Sequence, residues 1–161
     1  MFLSNVKDNS HHYLTSESPA MSEKDGVWLK ISGICGVLTP IVAFTCISLA
    51  IASSPSFSWT ENALSDLGVQ EGLTAILFNS GLIIGGTLAL IFATGFFLFR
   101  GEKMLWKIGA FIFILATLAL IAIGTFPENI KPAHYYASVA FFALFIISMI
   151  FMVAAFLLEG N

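Results

Sequence analysis

The uncharged run Gly72–Phe99, GLTAILFNSGLIIGGTLALIFATGFFLF, limits what this chain can become more than any other stretch. At a rise of about 1.5 Å per residue it is longer than the ~30 Å hydrocarbon layer of a bilayer, so it reads as a transmembrane helix. Three comparable apolar runs accompany it, which predicts an all-α integral membrane protein with spans at about 28–52, 72–99, 104–124 and 132–158. Composition agrees: 57% of the 161 residues are hydrophobic and 11% charged, against about 25% charged in an ordinary soluble domain. The economical division is a flexible N-terminal tail, 1–26, and one four-span membrane domain, 27–161.

The net charge of -3 and the dispersed Lys and Arg residues exclude a nucleic-acid surface, which needs clustered cations against phosphates. Residues 1–26 lack apolar periodicity and read as a flexible tail; Met21 is an alternative start, which would make the first twenty residues an upstream extension. His11 and His12 are adjacent on that tail and fix no coordination geometry. Cys35 and Cys46 lie in the first span, too far apart for an intrahelical disulfide, and read as small apolar packers. Trp28 and Lys30 suit the membrane interface, Gly33 and Gly36 suit close helix approach, and Pro40 should bend the first helix. The span is too long for a signal-peptide core and reads as a retained anchor.

Ser53–Ser58 breaks that helix. Ser58-Trp-Thr-Glu61 fits a capping box, predicting a short interfacial helix over Trp59–Leu67 with Gly68 as its C-terminal cap. In the second span Gly81 and Gly85 form a GxxxG face for helix packing, with a partner in this chain or another. Arg100–Lys103 is a polar turn, Thr125–Pro132 is the next break, and Pro132 suits the first turn of the last span. Four spans put both termini on one side. That side carries Lys24, Lys30, Arg100, Lys103 and Lys107, against Lys131 alone in the opposite loops, so the bias places both termini in the cytoplasm of a multi-pass cell-membrane protein.

The opposite, extracytoplasmic side gathers Glu61, Ser65, Asp66, Glu71, Asn79, Glu128 and His134. Asn79 lies within the second span, where an amide exposed to hydrocarbon is costly, so it should face the bundle or a wet cleft, as an interhelical bond or as part of a ligand site. Asp66 and His134 sit near the outer ends of neighbouring spans. If they meet, the pair serves as a structural clasp, as part of a site for a lipid headgroup or small polar ligand, or as a carboxylate-oriented imidazole in catalysis. No HExxH or comparable pattern assigns a metal, and nothing calls for a cofactor. The inner halves of the last three spans carry no ionisable side chain, which argues against an ion path through one protomer.

Ala63-Leu-Ser-Asp-Leu-Gly68, Phe78-Asn-Ser-Gly81, Gly124-Thr-Phe-Pro-Glu128, His134-Tyr-Tyr-Ala137 and the pair Phe141-Phe142 together resemble a family of prokaryotic, largely archaeal integral membrane proteins catalogued as domain of unknown function nine hundred and ninety-eight. The resemblance runs from about Trp28 to Leu158. It implies an outward polar cluster of Ser65, Asp66, Asn79, Glu128 and His134, with no reaction to carry over. Members of that family usually resemble six-span proteins, so four spans imply a short form, a truncated frame, or a bundle completed by dimerising. The expected function is an uncharacterised multispan protein binding a lipid headgroup or small polar ligand from the surrounding membrane. The alternatives are a structural subunit joined to a second copy or to partner helices, and a metal-assisted lipid hydrolase built on Asp66, Glu128 and His134.

Overall fold

A computed structural model of the protein describes residues 23–99 and 103–159. His11, His12, Met21 and the start of the Arg100–Lys103 turn lie outside the described residues. The described chain forms α1 (Glu23–Ala52), a short 3-10 turn (Leu64–Val69), α2 (Leu73–Phe99), α3 (Met104–Thr125) and α4 (Ala133–Glu159). All four α-helices are long and apolar enough to cross a membrane. α1 starts ahead of Trp28, with Glu23 and Asp25 in its first turn, where carboxylates meet the positive end of the helix dipole. Pro40 is carried inside α1, and the Thr39 hydroxyl donates to the Cys35 carbonyl at 2.8 Å. Such bonds back to the same helix recur at Thr87, Thr94 and Thr125 and keep hydroxyls satisfied where water is absent.

The helices pack in chain order, α1 on α2, α2 on α3 and α3 on α4, with no comparable packing of α4 on α1 or α2. They form a row, not a closed ring. Apolar area gives no drive to associate in lipid, so close backbone approach through small residues has to hold the row together. Gly81 lies against Cys46 and Gly95 against Ser32, which brings α2 onto a stripe of small residues on α1. At the next interface a methyl group added to Gly124 of α3 would stand 2.7 Å from the Asn79 carbonyl oxygen of α2. At the last, Gly109 of α3 faces Phe151 and Met152 of α4, and the fully buried Ser148 donates to the Gly109 carbonyl at 2.9 Å. Both cysteines are free.

The short helix expected between α1 and α2 is present, but as a 3-10 helix over Leu64–Val69 and not over Trp59–Leu67. Asn62 Oδ1 accepts the Ser58 amide at 3.0 Å, and the Ser58 hydroxyl is spent on Thr60, so the capping pair does not form and the first turn is not continued. The cap appears further on, where Asp66 Oδ2 accepts the amide of Ala63 at 2.9 Å and the Asn62 side-chain amide at 3.3 Å. Asn and Asp compete for nearby backbone in this way, which favours short turns over helices. Asp66 therefore opens the turn instead of closing a helix, Gly68 lies within it, and the left-handed residue is Gly72, with φ 72°. The turn buries Leu67 completely against Ala50, Phe78, Leu82 and Ile123. Pro132 also stands one place outside its expected position: α4 begins at Ala133, and the Pro132 carbonyl accepts the Tyr136 amide at 3.1 Å.

Candidate functional site: a polar cavity beside an apolar groove

Both long connections emerge at the same end of the row and enclose a cavity of about 490 Å³. Ser65 comes from the 3-10 turn, Glu128 and Lys131 from the α3–α4 connection, and His134, Tyr135 and Ser138 from the start of α4. The α3–α4 connection is folded by its own backbone bonds, from the Phe126 amide to Ala122, from Ile130 to Pro127 and from His134 to Ile130. These hold Glu128 and Lys131 over the α4 start.

His134 is more than nine-tenths buried. Its Nδ1 lies 2.7 Å from the Phe126 carbonyl oxygen, and because a carbonyl only accepts, Nδ1 carries the hydrogen. In the neutral ring that bond leaves Nε2 as a lone-pair acceptor, the arrangement by which a second partner fixes the tautomer of a functional imidazole. Glu128 lines the same cavity, and its Oε2 is buried with no hydrogen-bond partner. A buried carboxylate oxygen without a donor is costly, so the site holds unmet acceptor capacity at Glu128.

Asp66 and Asn79 stand apart from this cavity. Asp66 is committed to Ala63 and Asn62, and His134 turns to the Phe126 carbonyl, so neither makes the expected pair. Asn79 donates through Nδ2 to the Gly68 carbonyl at 2.8 Å, which ties α2 to the 3-10 turn. Trp59 is exposed and meets Phe57 edge to face with ring centroids 5.3 Å apart. Of the five sequence candidates, Ser65, Glu128 and His134 converge on the cavity. Among the described residues no three His, Cys, Asp or Glu side chains group as metal ligands.

A second, apolar groove of about 360 Å³ adjoins the first and shares Ser65, His134 and Ser138 with it. Its walls include Ile47 of α1, Leu82 of α2, Ile123 of α3 and Phe141 and Phe142 of α4. It occupies the gap left because α4 packs on α3 alone. Ser138, Tyr135, Lys131 and the groove were missed from sequence. The signal for one of them was present: Ser138 follows His134 by four positions and Phe141 by seven, spacings that share one helix face.

Residues 37–160 match the model of a family described as protein of unknown function, DUF998. No curated protein and no solved structure matches the chain. With that match covering all of α2, α3 and the intervening outer connections, the chain belongs to the DUF998 family.

Proposed function

We propose that this multispan membrane protein binds a lipid headgroup or small polar ligand in the cavity formed by Ser65, Glu128, Lys131 and His134, on the extracytoplasmic side. The observation that carries the reading is the pairing of His134, buried and oriented by the Phe126 carbonyl, with Glu128, whose Oε2 has no hydrogen-bond partner, in the lining of one cavity. Membrane lipids are the most abundant source of such a ligand at this depth. Hydrolysis through a metal-activated water would need a third ligand beside Glu128 and His134, and the described residues supply none.

The test compares retained lipid mass and melting temperature for the purified wild type, His134→Gln, Glu128→Gln and Asp66→Asn in one lipid mixture. Binding at this cavity predicts lost retention for the first two variants at near-normal melting, with Asp66→Asn retaining lipid as wild type does. Unchanged retention in both His134→Gln and Glu128→Gln sinks the proposal. A second reading, a structural subunit, is favoured by the open side of α4, where Phe145, Ile146, Ile150 and Leu157 are exposed. In that reading the protein in lipid nanodiscs has the mass of a homo-oligomer or of a complex with partner helices; a monomer at every protein-to-lipid ratio argues against self-assembly.

A further inference from the structure

We infer that the polar cavity and the apolar groove are one site for a single amphiphile, a phospholipid whose headgroup bears a primary ammonium. This rests on the reading of the cavity as a ligand site and names the chemical class it takes. The two spaces adjoin, with Ser65, His134 and Ser138 lining both, so a molecule seated in the polar part lies next to the groove in which it would lay a chain. The groove exists because α4 packs against α3 but not α2, and its walls are hydrocarbon side chains reaching from α1 to α4. An acyl chain matches that lining, whereas water or a polar solute leaves it bare.

The headgroup follows from which hydrogen-bonding capacity is unmet. Glu128 Oε2 is a buried acceptor without a donor, and in the neutral ring the bond from Nδ1 to the Phe126 carbonyl leaves His134 Nε2 as an acceptor as well. Two acceptors, one of them on a carboxylate, call for a ligand rich in N–H donors and positively charged. An ammonium –NH3⁺ supplies three donors and the charge. Among the described residues the cation lining the cavity is the exposed Lys131, on the same connection as Glu128, which suits the phosphate that follows the ammonium in an ethanolamine headgroup. A trimethylated headgroup keeps the charge but has no N–H to offer, and a glycerol headgroup has donors but no charge.

The experiment loads the purified full-length protein with an equimolar mixture of phosphatidylethanolamine, phosphatidylcholine and phosphatidylglycerol of identical chains and reads bound lipid by native mass spectrometry. Phosphatidylethanolamine is expected to be retained about tenfold or more over each of the other two, and Glu128→Gln to erase that preference. Free phosphoethanolamine, which has no chain, is expected to compete at least a hundredfold less well. Equal retention of the three lipids, with loss of all three in His134→Gln, overturns the headgroup assignment and leaves the ligand site standing. Competition by phosphoethanolamine as effective as by the lipid overturns the groove. Retention that neither His134→Gln nor Glu128→Gln alters overturns the inference together with the site. Because the lipid comparison and the phosphoethanolamine competition vary the ligand and not the protein, a misfolded variant does not obscure them.

Discussion

Asn79 and His134 show how a polar side chain in a membrane protein is settled by a backbone carbonyl. Asn79 sits inside a span, and its side-chain amide is consumed by the Gly68 carbonyl at 2.8 Å. Asn79→Ala leaves that carbonyl, on a buried residue of the 3-10 turn, without its donor. A loss of about 1–3 kcal/mol is expected, measured by reversible unfolding in mixed micelles. Retained lipid mass should not change at saturating lipid, because Asn79 lines neither the cavity nor the groove. That Asn79 had to face inward was legible in the sequence, since hydrocarbon does not tolerate its amide. Its partner was not, because the Gly68 carbonyl is a backbone group presented by a turn whose form depends on Asn62 and Asp66. His134 was legible as a polar residue at a helix start, while its orientation waited on Phe126, eight positions earlier in the chain.

The element that shapes the cavity end of the row is the 3-10 turn between α1 and α2. Leu67 is fully buried in it and touches residues of α1, α2 and α3, whereas Leu64, on the same turn, is 40% exposed and lines the groove. Leu67→Ala should therefore cost about 2–5 kcal/mol, the range for a buried leucine that leaves a cavity. Leu64→Ala should stay within about 0.5 kcal/mol, the range for exposed positions. Thermal melting of the two variants side by side checks the difference; equal losses would mean that the turn does not seat Leu67 as described. The long helices were readable because an uninterrupted apolar run offers the backbone no other way to satisfy itself in lipid. The short helix was readable but its start was placed too early, because Ser58 and Glu61 carried a cap pattern while Asn62 takes the Ser58 amide and Asp66 takes that of Ala63.

At the scale of the whole molecule, the bias of Lys24, Lys30, Arg100, Lys103 and Lys107 against Lys131 predicts that both termini and the α2–α3 turn are cytoplasmic and the cavity faces outward. Single cysteines at Ser56 and Lys103, in a background lacking Cys35 and Cys46, test this with a membrane-impermeant thiol reagent on intact cells. Labelling at position 56 with protection at 103 is expected, and the reverse pattern inverts the protein and the side from which a ligand enters. The order of the four spans, their lengths and their common all-helical character were determined by the sequence alone, because hydrophobic length against bilayer thickness is a one-dimensional property. The gathering of Ser65, Glu128 and His134 at one end was foreshadowed for the same reason, since four crossings put the first and third connections together. Only the tertiary structure decided that the helices stand in a row, that Asp66 and Asn79 are spent on the backbone, and that a groove opens beside the cavity. Those outcomes turn on which small residue meets which neighbour, Gly81 with Cys46, Gly95 with Ser32 and Gly109 with Met152. Packing between apolar helices in lipid is a matter of local fit between surfaces, and no periodicity along one chain encodes its partner.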